Sequence, residues 1–344
     1  MKKNYFMLAL ASMMMAACAN NDLVDEVVKE EVPQAIEFET FANKATRAEI
    51  TNVSDLQEVG FQVWGYKAPT ANPMDWDEQY TVFENVAVTY DNGWGYSTND
   101  VPLKYWDRTS TYKFYAVAPK TPDDVTYEIN EETGMITING AASAISGDSK
   151  DYLIDRNGVE NVDGNYTSTT PHATVNFDFH HIMTKVSFKL VAGVKEAIKV
   201  TRLTMTGWNN STGKFVQNSN TTPDVANNYS EWTLDDLEAV GSVDILSASS
   251  NTDDITLNAD AVTKSPVTNE YIMIPQLIKE KTLTFIIDFM IGDEVFTAQV
   301  GTLDSQQVWG TDVHVTYTIV VGPQEIAFDV KSVCNWEHNK IEIE

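Results

Sequence analysis

The stretch NVAVTYDNGWGYS, residues 85–97, decides the fold class. Val86, Val88 and Tyr90 fall on one side of an extended chain, and Ala87 and Thr89 fall on the other. Asn92-Gly93 follows at once, a pair suited to the tight turn between two twisted antiparallel strands. Trp94 then restarts the chain in extended form. Strand, turn and strand are therefore written within thirteen residues.

The same signature recurs on both sides. Upstream lies FQVWGYKA (61–68), and downstream TYKFYAVAP (111–119) and MITING (135–140). ATVNFDF (173–179), KVSFKLVA (185–192), IKVTRLTMTG (198–207) and TLTFIIDFMI (282–291) follow, then EVFTAQVG (294–301), HVTYTIVV (314–321) and EIAFDV (325–330). Short alternating runs broken by Asn, Asp, Gly, Pro and Thr clusters predict an all-β chain of sandwich type. No long helical period competes; DDLEAV (235–240) and KEAI (195–198) offer single turns. The polar stretch 208–232 predicts a long surface loop or a hairpin of the second half.

A chain of 344 residues with 43% hydrophobic residues suits two domains with substantial cores. The polar run DRNGVENVDGNYTSTTP (155–171) places the boundary between them, with an N-terminal sandwich over 48–172 and a C-terminal one over 173–344. Fifty acidic residues against 23 basic ones give a formal charge of −27, which argues against nucleic acid as a partner and against electrostatic docking on anionic lipid.

The N-terminus reads differently. Lys2 and Lys3 precede an apolar run from Tyr5 to Ala17, too short to span a bilayer comfortably and typical of a signal peptide over 1–17. It ends in MAAC (15–18), which resembles a bacterial lipobox: cleavage falls between Ala17 and Cys18, and Cys18 is lipidated. An ordinary signal peptide with an incidental cysteine is the alternative. Residues 19–34 are acidic and poor in aromatics, as in a tether. The only other cysteine is Cys334, so a lipidated Cys18 leaves no intramolecular disulfide. In AIEFETFAN (35–43), Ile36, Phe38 and Thr40 share one face of a strand.

The search for chemistry returns little. No P-loop, G-x-S-x-G, H-E-x-x-H or calcium-loop pattern stands in the chain, and no cofactor or metal site is indicated. His180 and His181 are adjacent and face opposite ways in a strand. Trp64, Trp94, Trp106, Trp232, Trp309 and Trp336 lie in or beside predicted strands, where core packing is the usual role. Trp76, in NPMDWDEQY (72–80), lies in a loop-like stretch and could pack back or stack on a sugar. A pair of distant carboxylates could still assemble a glycosidase site. No catalytic residue is assigned, and the chain reads as non-enzymatic.

Several stretches together resemble the Bacteroidales fimbrillin family, the Mfa-like and FimA-like type V pilins and their accessory subunits. They are ATRAEI (45–50), GFQVWGYKA (60–68), YKFYAVAP (112–119), DYLID (151–155), VNFDFHHIMTKVSFKL (175–190), YIMIPQ (271–276) and VWGTDVHVTYTIVVGPQEIAFDVKSVCNW (308–336). The resemblance implies two transthyretin-like, Greek-key β-sandwich domains behind a lipoprotein leader. It implies transport to the outer membrane surface on a transient lipid anchor. An arginine-specific protease then cuts between Arg47 and Ala48 and removes the leader, residues 18–47, with its first strand, the face of Ile36, Phe38 and Thr40. A strand from another fimbrial subunit takes its place, and the fimbrium supports adhesion. The donor strand stays open between the C-terminal stretches EIAFDVKSVCNW (325–336) and KIEIE (340–344). A lipid-anchored surface protein that binds glycans or host protein without polymerising is the second reading, and a β-sandwich hydrolase is the third.

Overall fold

Alternation becomes pairing along most of the chain. The computed structural model describes residues 32–41, 53–70, 79–96, 98, 101–120, 122, 124–143, 151–167, 170–218, 229–246, 255–257, 265–279, 282–301, 307–322 and 327–335. In chain order the strands are β1 (Phe38–Phe41), β2 (Phe61–Pro69), β3 (Tyr80–Tyr90), β4 (Trp94–Gly95), β5 (Ser110–Ala118), β6 (Thr126–Ile129), β7 (Ile136–Ala141) and β8 (Leu153–Asp155). They continue with β9 (Val159–Asp163), β10 (Val175–His181), β11 (Thr184–Ala192), β12 (Ile198–Thr206), β13 (Gly213–Val216), β14 (Trp232–Leu234), β15 (Ser242–Leu246) and β16 (Ile255–Leu257). The last are β17 (Ser265–Met273), β18 (Gln276–Ile278), β19 (Thr284–Ile291), β20 (Glu294–Gly301), β21 (Gln307–Trp309), β22 (Val313–Val321) and β23 (Ala327–Asn335). One short helix, α1 (Val53–Val59), precedes β2. The chain is all-β, as its alternation predicts, and residues 33–344 form one unit.

The hairpin at 85–97 forms between β3 and β4. Tyr90 pairs with Trp94, so the loop holds three residues rather than two. Asn92 takes the left-handed conformation at φ 58°, which Asn tolerates better than most residues.

The first sheet runs β1-β10-β8-β5-β2-β3-β4, with β9 also on β5. It curls until its ends meet, bringing the Phe38 ring of β1 within 5.2 Å of Phe83 on β3. Its concave face encloses one core: Phe61, Val63, Phe83, Phe114, Phe177 and their neighbours. Its other face is buried as well, so alternation in β5 sorts residues between two cores instead of between core and water. Tyr112, Phe114, Ala116 and Ala118 enter the first core, and Tyr115 and Val117 enter a second.

That second core lies under the sheet β14-β13-β7-β6. The stretch 208–232 contributes β13, the first strand of a hairpin with β14, which is one of the two forms expected for it. The hairpin pairs with β7, contributed by the first half of the chain, and buries Phe215 and Trp232. The third core fills a sandwich between β17-β11-β22-β23 and β15-β12-β19-β20, with β16 added to β12. Strand β10 belongs to the first sheet, although the sequence reading opens the second domain at 173. The chain leaves that sheet between His181 and Thr184.

Candidate functional site

The segment 34–41 is the part of the chain on which the functional reading turns, and the fold gives it a fitted slot. Its first half lies against residues 104–106: Ala35 bridges Tyr105, Ile36 N–H donates to the Lys104 carbonyl at 2.9 Å, and Trp106 N–H donates to the Gln34 carbonyl at 3.0 Å. Its second half runs parallel to β10, with Phe38 opposite Val175 and Thr40 opposite Phe177. Both flanks of the segment are thus bonded, each over half its length.

Side chains fix the register. Gln34 bridges the main chain of His172, donating from Nε2 to its carbonyl at 2.6 Å and accepting its N–H on Oε1 at 2.6 Å. The Tyr166 hydroxyl accepts the Gln34 N–H at 3.3 Å. The His172 ring lies flat on Trp106, centroids 3.7 Å apart, which secures that wall. Ile36 is fully buried. Phe38 meets four rings, those of Phe83, Tyr96, Phe114 and Phe177, at 5.2–5.9 Å. Tyr96 closes the slot: its hydroxyl accepts Lys104 N–H at 3.0 Å and lies 3.1 Å from the Ile36 carbonyl, to which it can donate. Burial raises the Tyr96 pKa, with the hydrogen bond to the Lys104 main chain working the other way, so the hydroxyl stays protonated.

Asp107 anchors the wall's exit turn. Its carboxylate receives Lys67 Nζ at 2.8 Å, Thr109 N–H at 3.0 Å, Thr109 Oγ1 at 2.7 Å and Ser110 Oγ at 2.9 Å. The Lys67 ammonium, with the donors of Thr109 and Ser110, holds the Asp107 pKa well below the usual carboxylate range against a desolvation that opposes it. A depressed folded pKa stabilises the fold while the acid is ionised, and the contribution is lost as pH falls below about 4, where the unfolded carboxyl begins to take its proton. Asp107→Asn is expected to remove part of the acid limb of the stability–pH curve and leave its neutral-to-alkaline part parallel to wild type, read by urea titration across pH.

Of the residues singled out from sequence, Ile36 and Phe38 come together in this slot, and Thr40 continues the strand beside β10. Ala17, Cys18, Arg47, Ala48, Trp76 and Trp336 lie outside the described residues. Sequence reasoning missed Gln34, which sits in a stretch read as tether, and the wall 104–106, which bonds without becoming a regular strand. Trp64, Trp106, Trp232 and Trp309 are buried, and Trp208 with them. His180 and His181 do face opposite ways: His181 is buried 2.8 Å from an Asp151 carboxylate oxygen, and His180 reaches outward to Asp178 at 3.4 Å. Ser187 Oγ lies 2.8 Å from His314 Nε2 but is shared with Thr316 Oγ1 at 3.0 Å. Among the described residues, no group of three or more His, Cys, Asp or Glu side chains is placed to hold a metal, and no helix is long and apolar enough to cross a membrane.

Residues 46–336 match the family described as fimbrillin-like. Solved structures that resemble the chain include a candidate cell adhesion protein from Bacteroides uniformis, 15% identical, covering 88% of this chain and 99% of its own, at a TM-score of 0.46. A second, from Bacteroides ovatus, is 16% identical over 90% of this chain and 99% of its own, at 0.44. The tip fimbrial protein Mfa3 from Porphyromonas gingivalis, C-terminally truncated, is 11% identical over 82% of this chain and 96% of its own, at 0.36. Comparison with curated protein sequences returns no match.

Proposed function

Because the chain belongs to the fimbrillin-like family, we propose that it is a structural or accessory subunit of a cell-surface fimbria that is completed by a neighbour's strand. The supporting observation is the slot: Phe38 plugs a four-ring pocket built by β3, β5, β10 and the segment after β4, on a segment hydrogen-bonded to β10 on one flank and to residues 104–106 on the other. The chain is exported as a lipoprotein on Cys18, held at the outer membrane, and cut between Arg47 and Ala48 by an arginine-specific protease. The leader, 18–47, carries the segment away. Burial of Ile36 and Phe38 contributes roughly 3–6 kcal/mol, a large share of the roughly 5–15 kcal/mol that holds a domain together. Its loss leaves an apolar groove with open strand edges, and strand addition from another subunit restores both.

The fold also bears on where such a protease can cut. Arg156 is buried and paired with Glu231, Arg202 lies within β12 paired with Asp288 at 2.8 Å, and Arg108 sits in the tight turn capped by Asp107. An extended, accessible backbone is what a protease requires.

Arg47→Ala is expected to leave the surface protein with an N-terminus at Cys18 and no higher oligomers, whereas wild type begins at Ala48 and forms them. N-terminal sequencing of surface protein, together with gel electrophoresis without boiling, reads both. A wild-type surface protein that begins at Cys18 would instead favour the lipid-anchored, non-polymerising reading.

A further inference from the structure

A sheet edge is a row of unpaired main-chain groups, and proteins blunt such edges with short strands, bulges, proline or charge. This chain does so at its other edges. Among the described residues, β4 has two residues, β14 three and β6 four. Strand β17 carries Pro266, and the ladders of β15, β17 and β23 each break register. Strand β20 has none of these devices. It ends the sheet β15-β12-β19-β20, and its eight residues pair with β19 in unbroken register, from Ile291 with Glu294 to Thr284 with Gly301. Residues 295–301, VFTAQVG, contain neither charge nor proline.

The phase of the ladder fixes what this edge presents. Ile291 pairs with Glu294 across the two-residue turn Gly292-Asp293. The pair closing such a turn exchanges both its bonds, so Glu294, Phe296 and Ala298 direct their main chain to β19. Val295, Thr297 and Gln299 direct theirs to the open edge. Phe296 and Ala298 pack on the sandwich core, with the Phe296 ring 5.2 Å from that of Phe289, yet both stay only half-buried. Val295, Thr297 and Gln299 are exposed on the outer face.

We propose that β20 pairs antiparallel with β20 of a second copy of this chain, about a twofold axis at Thr297. Two five-stranded sheets then become one. The strand suits itself as partner. Residues opposite each other across an antiparallel pair share a face. With the axis at Thr297, Phe296 meets the copy's Ala298 on the core side, large against small, and Val295 meets Gln299 on the outer side. The open main-chain groups of Val295, Thr297 and Gln299 are satisfied in both copies. Charge favours the same occupant. A formal charge of −27 keeps copies apart, but this edge is uncharged, and antiparallel pairing sends the two Glu294 carboxylates to opposite ends. They then lie about 20 Å apart, beyond a Debye length of about 8 Å. Asp288, opposite Thr297 on β19, is matched by Arg202 at 2.8 Å and by Thr297 Oγ1 at 2.7 Å. Because one patch serves both copies, the contact closes at two. It therefore differs from strand replacement at segment 34–41, which is head to tail, and does not depend on it. In a fimbria the pairing ties polymers side by side, and that consequence alone rests on the fimbrial reading.

The test uses the full chain carrying Cys18→Ser, which rules out lipid attachment, and Arg47→Ala, which keeps segment 34–41 attached. Sedimentation velocity is expected to show monomer passing to dimer between about 1 and 100 μM. The dimer should be tighter in high salt than in low, because screening weakens the repulsion of two acidic chains. Thr297→Pro removes an N–H that points to the open edge and leaves the bonds to β19 in place. It is expected to keep a cooperative urea transition and to weaken the dimer by about 30-fold or more, from two lost main-chain bonds per pair. Thr297→Lys spares the backbone but sets two ammonium groups together at the axis, and is expected to weaken the dimer as well. Under mild oxidation Thr297→Cys should give disulfide-linked dimer beyond any that the parent chain gives, and Ser242→Cys, exposed on β15, should not. A chain that stays monomeric throughout overturns the proposal, whether its edge is bare or takes up another protein's strand. A dimer that neither Thr297→Pro nor Thr297→Lys weakens overturns it too, and Thr297→Lys decides alone if the proline variant does not fold. Neither result touches the strand-replacement reading, since segment 34–41 stays attached throughout.

Discussion

Phe38→Ala is expected to destabilise the unprocessed chain by about 3–5 kcal/mol, seen as a lower urea midpoint with little change in slope. The size follows from the pocket. The ring is 5% exposed and meets Phe83, Tyr96 and Phe177 within 5.7 Å, with Phe114 at 5.9 Å. Those four rings come from different parts of the first sheet and from the segment after β4, so they cannot close over the void as a single side chain could. Aromatic pairing adds about 0.5–1.5 kcal/mol per favourable pair beyond the area buried. Glu37→Ala, one residue away and exposed, serves as control and is expected to move stability by less than about 0.5 kcal/mol. The informative second reading comes after cleavage following Arg47. Once the leader has gone, the Phe38→Ala and wild-type chains are the same molecule, so polymers formed from them should melt together. A difference that survives processing would mean that segment 34–41 never left.

The sequence carried the faces of this site better than its neighbours. Period two places Ile36 and Phe38 on one side, and the structure buries both, because facing is a local property of an extended chain. Partnership is not local. Nothing within 34–41 names β10, some 135 residues away, as its parallel partner. The wall 104–106 shows no alternation, since it bonds through main chain at a single bridge. Gln34 reads as tether until the His172 amide it bridges is in place. The same limit hid the sheet β14-β13-β7-β6: the polar stretch around Phe215 gives no hint that its partner strand, β7, lies in the first half. The double burial of β5 was hidden too, because apolar alternation looks alike whether the second face meets water or another core.

Glu231→Ala is expected to cost about 3–5 kcal/mol, because it strands a buried guanidinium. Arg156 Nη1 and Nη2 donate to Glu231 Oε1 and Oε2 at 3.0 and 2.8 Å, and the two side chains are 3% and 2% exposed. The carboxylate also accepts Asn218 N–H at 3.1 Å, and the guanidinium lies 5.9 Å from the Phe215 ring centre. Gln217 closes the network, donating to the Arg156 carbonyl at 2.7 Å and accepting Ile136 N–H at 3.3 Å. Arg156 follows β8 of the first sheet, whereas Glu231 and Gln217 belong to the β13–β14 hairpin. The pair therefore ties that hairpin to the first sheet, beside the Trp232 Nε1 bond to the Ile182 carbonyl at 2.9 Å. Removing one partner costs more than the pair contributes, since desolvating both charges offsets most of their attraction. Replacing both, as Arg156→Leu with Glu231→Leu, is accordingly expected to recover most of the loss, and a double-mutant cycle from urea titrations measures that coupling. In Glu231→Ala alone, amide exchange at Ile136 and Ile138 should accelerate with the loosened hairpin, and an arginine-specific protease should gain a cut after Arg156. If Glu231→Ala proves as stable as wild type and Arg156 stays uncut, the hairpin is held by the packing of Phe215 and Trp232, and the ion pair is incidental to it.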